Sequence, residues 1–252
     1  MSVSVSREGH VALVEIDRPP HNHVSVALMA ELADALEALD GDGGCRAVVL
    51  ASAGKNFCAG ADLTGSTAIV GGGGEAGNPL YVQAVRLHSS KKPMVAAVQG
   101  AAVGAGLGLA LIADFRIAAP DARFTANFVK LGFHPGFGLT HTLPRLIGGQ
   151  KAALMMLTGR RIRADEALAW GLVDGVDDDP RAAALSLAAE IAENAPLAVQ
   201  STLATLRGAL GKAVKAQTDH EHAEQSWLRK TEDFAEGVRA VSERRPGAFT
   251  GR

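Results

Sequence analysis

Hydrophobic and polar positions follow two different periods in the first fifty residues. HVALVEID (10–17) alternates in steps of two and stops at a double proline, which predicts an edge or half-buried β-strand. SVALMAELADALEALDGDGG (25–44) repeats apolar residues at helical spacing and ends in glycines, which predicts a helix. RAVVLAS (46–52) is short, apolar and β-branched, as is typical of a strand covered on both faces. This strand–helix–strand order favours an α/β fold with parallel strands.

The pattern further along the chain changes from mixed to mainly helical. A glycine-rich stretch at 64–79 is followed by a helix at 79–90 and by a buried strand at 93–100. Later segments with helical spacing lie at 149–158, 164–170, 180–194, 196–210 and about 215–242. We therefore expect one structural unit, with an α/β core in residues 1–195 and a helical C-terminal region in residues 196–252.

A run of twenty residues without a charged side chain, Met94–Ala113, lies in the middle of the chain. Its length is that of a membrane span, but it is rich in alanine and glycine rather than leucine and lacks an aromatic belt. Gly104, Gly106 and Gly108 do not have the G-x-G-x-x-G spacing of a dinucleotide-binding loop. We therefore interpret these glycines as sites of close backbone packing at the start of a helix.

Composition and charge exclude several classes of protein. Hydrophobic residues make up 47% of the 252 residues and charged residues 21%, which predicts a packed core rather than disorder. The formal net charge of −2 gives no sign of a nucleic-acid or acidic-membrane partner. Cys45 and Cys58 lack metal-binding spacing, and we expect both to be small core residues. The N-terminus shows no signal-peptide pattern, so we expect a cytoplasmic protein.

Five segments carry a resemblance to a known superfamily. They are KNFCAGADL (55–63), AVQGAAVGAGLGLALIADFRIA (97–118), FVKLGFHPGFGLTHTLPRLIG (128–148), LTGRRIRADEALAWGLVD (157–174) and DFAEGVRAVSERRPGAFTG (233–251). In this order, and over nearly the whole chain, they closely resemble the crotonase (enoyl-CoA hydratase/isomerase) superfamily. The resemblance implies a ββα spiral core with a helical C-terminal extension that forms trimers or dimers of trimers. It also implies an acyl-CoA substrate and no cofactor beyond the CoA moiety of that substrate.

The resemblance implies where the chemistry takes place. Reactions of the superfamily place negative charge on the thioester oxygen of the substrate. By position, the backbone N–H groups of Ala61 and Ala105 resemble the two donors of the oxyanion hole, the second at a helix start where unpaired N–H groups favour an anion. Residues that by position resemble CoA contacts are Lys55, Ala59, Ala61, Asp62, Leu63, Phe249 and Arg252. Lys55 is equally consistent with an ordinary surface lysine. We expect Asp62 and Asp114 to make structural hydrogen bonds with nearby backbone rather than to act in catalysis.

The sequence departs from the superfamily at the positions of its usual acid/base carboxylates. Gly108, Phe128 and Gly136 stand where hydratases and isomerases of the superfamily carry them, and neither glycine nor phenylalanine can transfer a proton. No Asp or Glu lies between Asp121 and Asp165. A shift of one or two positions in the comparison would therefore not supply a carboxylate.

Histidine is the titratable residue type that remains near these positions. His134 lies in the turn HPGFG and can act as an acid or a base near neutral pH; an equally simple hypothesis is a histidine packed into the turn. His141 lies farther along, in the next expected helix. His21 and His23 lie in an early loop where a coordinating pair is conceivable, but no third ligand is evident and no metal site is expected.

The residues are compatible with three functions. The first is an enzyme of the enoyl-CoA hydratase/isomerase type with displaced acid/base groups. The second is an enzyme of the same fold that hydrolyses, cleaves or decarboxylates an acyl-CoA with the oxyanion hole and His134. The third is an acyl-CoA-binding protein without catalysis. The missing carboxylates favour binding over standard hydration.

Overall fold

The computed structural model describes residues 2–61 and 78–252, which form two β-sheets and the helices around them. In chain order the strands are β1 (Val3–Glu8), β2 (Val11–Ile16), β3 (Ala47–Ser52), β4 (Met94–Val98), β5 (Ala101–Val103), β6 (Phe115–Ala118), β7 (Arg123–Thr125), β8 (Arg161–Arg163) and β9 (Gly175–Val176). The larger sheet has the order β1-β2-β3-β4-β6-β9, and the smaller sheet has the order β5-β7-β8.

Helices cover both faces of the larger sheet. In chain order they are α1 (Val26–Gly41), α2 (Pro79–His88), α3 (Ala105–Ala110), α4 (Leu139–Ile147), α5 (Gly149–Thr158), α6 (Ala164–Trp170), α7 (Pro180–Ala192), α8 (Pro196–Arg207), α9 (Leu210–Leu228) and α10 (Glu232–Ser242), with a 3-10 turn at Phe128–Leu131. Ala184 and Ala188 of α7 belong to the apolar cluster of Val49. Leu32 of α1 belongs to the cluster of Leu50. Neighbouring residues of β3 therefore pack against different helices, as expected for a strand buried on both faces.

Neighbouring strands of the larger sheet run parallel from β2 to β9, whereas β1 pairs antiparallel with β2. The predicted α/β class is therefore confirmed. The strand predicted at 10–17 is present, but it does not lie at the edge, because β2 has a neighbour on each side and is mostly buried. At this side of the sheet the edge strand is β1, whose side chains are mostly exposed.

The charge-free run Met94–Ala113 does not form one continuous helix. It is divided among β4, a turn at Gly100, β5 and α3, and most of its side chains are buried. Within residues 2–61 and 78–252, no single helix has the length and apolar character of a membrane span. The segments Pro180–Ala192 (α7) and Pro196–Leu228 (α8 with α9) meet those criteria only as a pair, bent by 108°.

The C-terminal region contains more breaks than its pattern predicts. The helix predicted at 196–210 ends three residues early, because Gly208 adopts a positive φ of 53°. The single helix expected at 215–242 is two helices, α9 and α10. The hydroxyl of Thr231, between them, accepts a hydrogen bond from the N–H of Phe234 and so starts α10.

A buried carboxylate joins the C-terminal region to the core. Glu221 of α9 accepts hydrogen bonds from the N–H of Gly138 (2.7 Å), the N–H of Thr140 (3.0 Å) and the hydroxyl of Thr140 (2.6 Å), all at the start of α4. Burial raises the pKa of the Glu221 carboxyl, while these hydrogen bonds act in the opposite direction. The division of the chain at residue 195 stays a prediction.

Candidate functional site

A short parallel contact brings Ala61 and Ala105 to the same end of the smaller sheet. The N–H of Val103 donates to the carbonyl oxygen of Cys58 (3.0 Å). This bond pairs the segment of Cys58 in parallel with β5, with Cys58 opposite Ala102. Ala61 and Ala105 each lie three residues beyond this pair. Because the two segments run in parallel, Ala61 and Ala105 follow this pair at the same end of it.

Two glycines allow the backbones to come this close. A Cβ atom on Gly106 would overlap the carbonyl oxygen of Cys58. Gly60 has a φ of +90°, and a Cβ atom there would lie 2.7 Å from the carbonyl oxygen of Val103. A side chain at Gly106 would push α3 away from the segment of Cys58, and one at Gly60 would push that segment away from β5. The close backbone packing predicted for the glycine run is thus observed at Gly106.

The N–H groups of Ala61 and Ala105 donate to no acceptor in the part of the chain that the structure describes. Ala105 is the first residue of α3, a position without an intrahelical acceptor. Both residues line the same cavity. Two unpaired backbone donors at one cavity wall are the arrangement that stabilises an oxyanion.

The cavity beside these donors has a volume of about 550 Å³ and a mainly apolar lining. Its apolar side chains include Leu80, Phe128, Leu131, Phe133, Phe137, Phe234 and Val241, and its polar ones are His21, His23, Tyr81, Asn127, Gln225 and Arg229. No carboxylate is found among the described residues that line it. Such a volume and lining suit a small organic group held by a few polar contacts.

At two of the three positions without a carboxylate, Gly108 and Gly136, other residues occupy the space that a side chain would take. A Cβ atom on Gly108 would lie 2.6 Å from Cδ1 of Phe137, and one on Gly136 would overlap the hydroxyl of Tyr81. Phe137 has a positive φ of 66° and is 1% exposed, so its ring has little freedom to move. Phe128 itself lines the cavity. A longer side chain at Gly108 or Gly136 therefore requires Phe137 or Tyr81 to shift.

Tyr81 joins α2 to α9 at the cavity wall. Its hydroxyl donates to Oε1 of Gln225 (2.7 Å), and Nε2 of Gln225 donates to the carbonyl oxygen of His134 (2.8 Å). Burial, followed by the carboxylate of Glu221, raises the pKa of the Tyr81 phenol. The phenol therefore keeps its proton at neutral pH and acts as a donor.

His134 borders a different pocket from Ala61 and Ala105, beside Thr140. Its Nδ1 lies 2.7 Å from the carbonyl oxygen of Pro135, which can only accept, so Nδ1 carries the proton. Nε2 is then the nitrogen left to exchange a proton. The structure does not bring the side chain of His134 to the two unpaired N–H groups.

His21 and His23 both line the cavity, with ring centroids 5.4 Å apart in an edge-to-face arrangement. Nδ1 of His23 lies 3.1 Å from the carbonyl oxygen of Gly60, and Nδ1 of His21 lies 3.2 Å from the side-chain nitrogen Nδ2 of Asn56. Both rings are thus positioned by protein groups. The described residues contain no group of three His, Cys, Asp or Glu side chains that could hold a metal ion.

The residues predicted to contact CoA are distributed over the chain. Ala59 lines the cavity. Lys55, Phe249 and Arg252 are exposed on the surface of the single chain, and Nε of Arg252 lies 3.9 Å from the carboxylate of Glu232.

Asp62 and Leu63, two further residues predicted to contact CoA, lie outside the described residues. Asp114 makes structural contacts. Its carboxylate accepts from the guanidinium of Arg207 (2.6 Å) and from the N–H of Met94 (2.9 Å). It therefore holds the start of β4 to the end of α8.

A larger cleft of about 1010 Å³ lies between the end of α2, α8 and the start of α9, apart from the two unpaired N–H groups. His88 lines it and is buried, and neither ring nitrogen has a hydrogen-bond partner within the described ranges. Burial, with the charges of Arg207 and His141, lowers the pKa of His88 to about 4. His141 thus lies close enough to His88 to affect its pKa.

Sequence reasoning missed four polar residues of the cavity: Tyr81, Asn127, Gln225 and Arg229. Tyr81 is the single tyrosine of the chain. Its place in a predicted amphipathic helix is the feature of the sequence that could have indicated a role at the site. Gln225 and Arg229 are four residues apart and share one face of α9. That face is not marked by the sequence pattern, because α9 is polar on most sides.

Comparisons with known proteins show which family this chain resembles. Residues 6–252 match the family described as enoyl-CoA hydratase/isomerase. The probable enoyl-CoA hydratase EchA14 of Mycobacterium tuberculosis is 42% identical over 226 residues, 88% of this chain and 87% of that protein. The 1,2-epoxyphenylacetyl-CoA isomerase of Escherichia coli is 34% identical over 256 residues, 97% of each chain. The crystal structure of an enoyl-CoA hydratase/isomerase from Pseudoalteromonas atlantica has a TM-score of 0.88 at 33% identity and covers 99% of this chain and 100% of its own.

Proposed function

The chain belongs to the enoyl-CoA hydratase/isomerase family, within the crotonase superfamily, and from this premise we propose that its 550 Å³ cavity binds an acyl-CoA thioester and stabilises negative charge on the thioester oxygen. The observation that carries the proposal is the pair of backbone N–H groups, on Ala61 and Ala105. Both line this cavity, and neither donates to an acceptor among the described residues.

The proposed chemistry follows the movement of electrons toward the thioester carbonyl. An electron pair arrives there when a base removes a proton from the acyl chain, or when water attacks a conjugated C=C bond. The carbonyl oxygen then carries most of the negative charge. Donors that the backbone already holds in place need no rearrangement as this charge develops, and losing one typically costs about 3–4 kcal/mol of transition-state stabilisation.

The aromatic lining supports the same chemistry. Phe128, Phe133 and Phe234 line the cavity, where they would surround the acyl group and exclude water. Hydrogen bonds to a charged oxygen are stronger where the local dielectric constant is low. An apolar acyl pocket therefore strengthens the two N–H contacts proposed for the carbonyl oxygen.

For proton transfer we propose Tyr81, whose phenol would give its proton to the α-carbon of the enolate and recover a proton from the water that adds to the β-carbon. The phenol lines the cavity and fills the space of a side chain at Gly136. His134, the alternative from sequence reasoning, borders the neighbouring pocket. We expect Tyr81→Phe to lower kcat about 100-fold or more, with the Kd of a saturated acyl-CoA changed less than threefold. His134→Ala is the matched comparison, and a larger loss of kcat in that variant would transfer the role to His134.

The proposed function is tested with two conjugation assays on the purified chain. Hydration of crotonyl-CoA lowers the absorbance of the conjugated thioester, and isomerisation of a 3-enoyl-CoA to the 2-enoyl-CoA raises it. Turnover in either assay, together with saturable acyl-CoA binding, is the expected result. If calorimetry detects no binding of acyl-CoA esters of any chain length, the proposal is wrong.

A second function, acyl-CoA binding without turnover, is favoured by one specific observation. The ring of Phe137 and the hydroxyl of Tyr81 occupy the space of side chains at Gly108 and Gly136, two of the usual acid/base positions. Micromolar binding with background turnover in both assays would support this function. Release of free CoA thiol or of carbon dioxide would instead indicate hydrolysis, cleavage or decarboxylation.

We also propose the trimeric assembly that the resemblance implies. The side chains of α8 are all at least partly exposed, with Leu197 80% and Leu206 69% exposed on the single chain. Apolar surface of this kind supports an interface between copies. In such an assembly Phe249 and Arg252 are proposed to reach the CoA of a neighbour. Light scattering coupled to size-exclusion chromatography should give a mass of three or six chains, and a monomer would contradict the proposal.

A further inference from the structure

Arg229 places a positive charge in the wall of the cavity. It caps the C-terminus of α9 and lines the cavity, and its guanidinium carbon lies 5.2 Å from the centre of the Phe133 ring. Its Nε is buried and has no hydrogen-bond partner in the described part of the chain. No ion pair between described residues includes it.

Among the described residues the buried Nε lacks an acceptor, which a bound anion would supply. Arg229 is half-buried, and a buried N–H without an acceptor costs free energy; burial also lowers the pKa of Arg229. Arginine nevertheless keeps its charge at neutral pH. The rings of Phe133 and Phe234 pack 5.0 Å apart and also line the cavity. The cavity therefore combines aromatic walls with a cation whose partner is still to be supplied.

We propose that Arg229 binds a carboxylate at the far end of the substrate's acyl group, so that the substrate is the CoA half-thioester of a dicarboxylic acid. The inference rests on the proposed function, because the acyl group must occupy this cavity. The planar guanidinium forms two parallel hydrogen bonds with a carboxylate. It would bind this group while the N–H groups of Ala61 and Ala105 bind the thioester oxygen. A CoA phosphate offers Arg229 the same anionic chemistry, and the test separates the two sources.

The test compares ligands that differ only at the end of the acyl chain. Adipoyl-CoA and hexanoyl-CoA have the same CoA moiety and the same number of carbon atoms, but only adipoyl-CoA ends in a carboxylate. Calorimetric Kd values are measured for this pair, for succinyl-CoA with butyryl-CoA and for suberoyl-CoA with octanoyl-CoA, at one ionic strength. The wild-type chain should bind the carboxylated member of at least one pair about 10- to 100-fold more tightly.

Substitutions then assign this preference to Arg229. Arg229→Met should remove the preference and change the Kd of the uncharged member less than threefold, whereas Arg229→Lys should retain part of it. Lys230→Met is the matched control, because Lys230 is the adjacent cation and is exposed. It should leave the preference intact. If Arg229→Met does not fold, the inference is tested by the preference of the wild type for the carboxylated ligand and by the reduction of that preference in Arg229→Lys.

Other outcomes overturn the inference in distinguishable ways. Equal affinity for both members of every pair overturns it and leaves the proposed function standing. Equal weakening of both members by Arg229→Met would assign Arg229 to the CoA phosphates. An unchanged preference in that variant would assign the carboxylate to another residue. Failure of all six ligands to bind would contradict the proposed function itself.

Discussion

Replacing Ala105 with proline removes one proposed oxyanion donor while leaving the fold intact. Ala105 is the first residue of α3, the helix position at which proline is best tolerated. Its N–H has no acceptor among the residues that the structure describes, so its loss leaves no protein group unpaired. The preceding residue is Gly104, whose backbone is less restricted than that of other residues before a proline.

The expected loss follows from the single donor removed. One donor of an oxyanion hole contributes about 3–4 kcal/mol to the transition state, so kcat/KM should fall about 100- to 1000-fold in whichever acyl-CoA reaction the chain performs. The Kd of a saturated acyl-CoA should rise much less, because the carbonyl oxygen carries only a partial charge before reaction. The melting temperature should change by only a few degrees, since the substitution removes no contact within the folded chain.

Ala164→Pro provides the matched control. Ala164 is the first residue of α6, is 2% exposed and follows Arg163, whose extended backbone suits a residue before proline. This variant should retain activity within about threefold of the wild type, because it removes no donor at the cavity. If Ala105→Pro also retains that activity, the N–H of Ala105 is not the oxyanion donor.

Three further predictions concern stability. Burial holds the pKa of His88 at about 4, below its ordinary 6.5, so the neutral ring is favoured and stability falls as pH drops below 6.5. Urea denaturation should show that the wild type loses about 2 kcal/mol relative to His88→Leu between pH 7 and pH 5, and parallel profiles would contradict this. Gly108→Ala should cost about 1–3 kcal/mol, because its Cβ would lie 2.6 Å from Phe137, whereas Gly149→Ala meets nothing within 4 Å and should change the melting temperature little. Thr231→Ala removes the N-cap of α10 and should cost about 1 kcal/mol; an unchanged melting temperature would show that this bond adds no stability.

The parts of the fold that local pattern determines could be predicted from the sequence. β3 is a continuous apolar run because it is buried on both faces, and that run is visible without the structure. The break at Thr231 was not predicted, because apolar positions continue with helical spacing on both sides of it. Propensity and period describe each segment, but a cap that interrupts a long helical pattern depends on the backbone around it.

The residues of the site also differ in whether they could be predicted from the sequence. Ala61 and Ala105 were predicted from the resemblance to the superfamily, and both line the cavity; their role as oxyanion donors stays a prediction. Tyr81 could not be placed at the cavity, since its partner Gln225 is 144 residues away in the sequence. Contacts of this separation are set by how α9 packs on the core. No local pattern in the sequence indicates that packing.

The position of Gln225 bears on how the proposed recognition of a substrate is distributed along the chain. The groups proposed to hold the thioester oxygen are backbone N–H groups of residues 61 and 105, which every residue type except proline carries. Gln225 and Arg229 belong to the C-terminal end of α9, line the same cavity and act through exchangeable side chains. Divergence in substrate choice can therefore proceed by point changes in one late helix while the carbonyl-binding geometry is inherited intact. Transplanting α9 between relatives is the corresponding route for redesigning the preference.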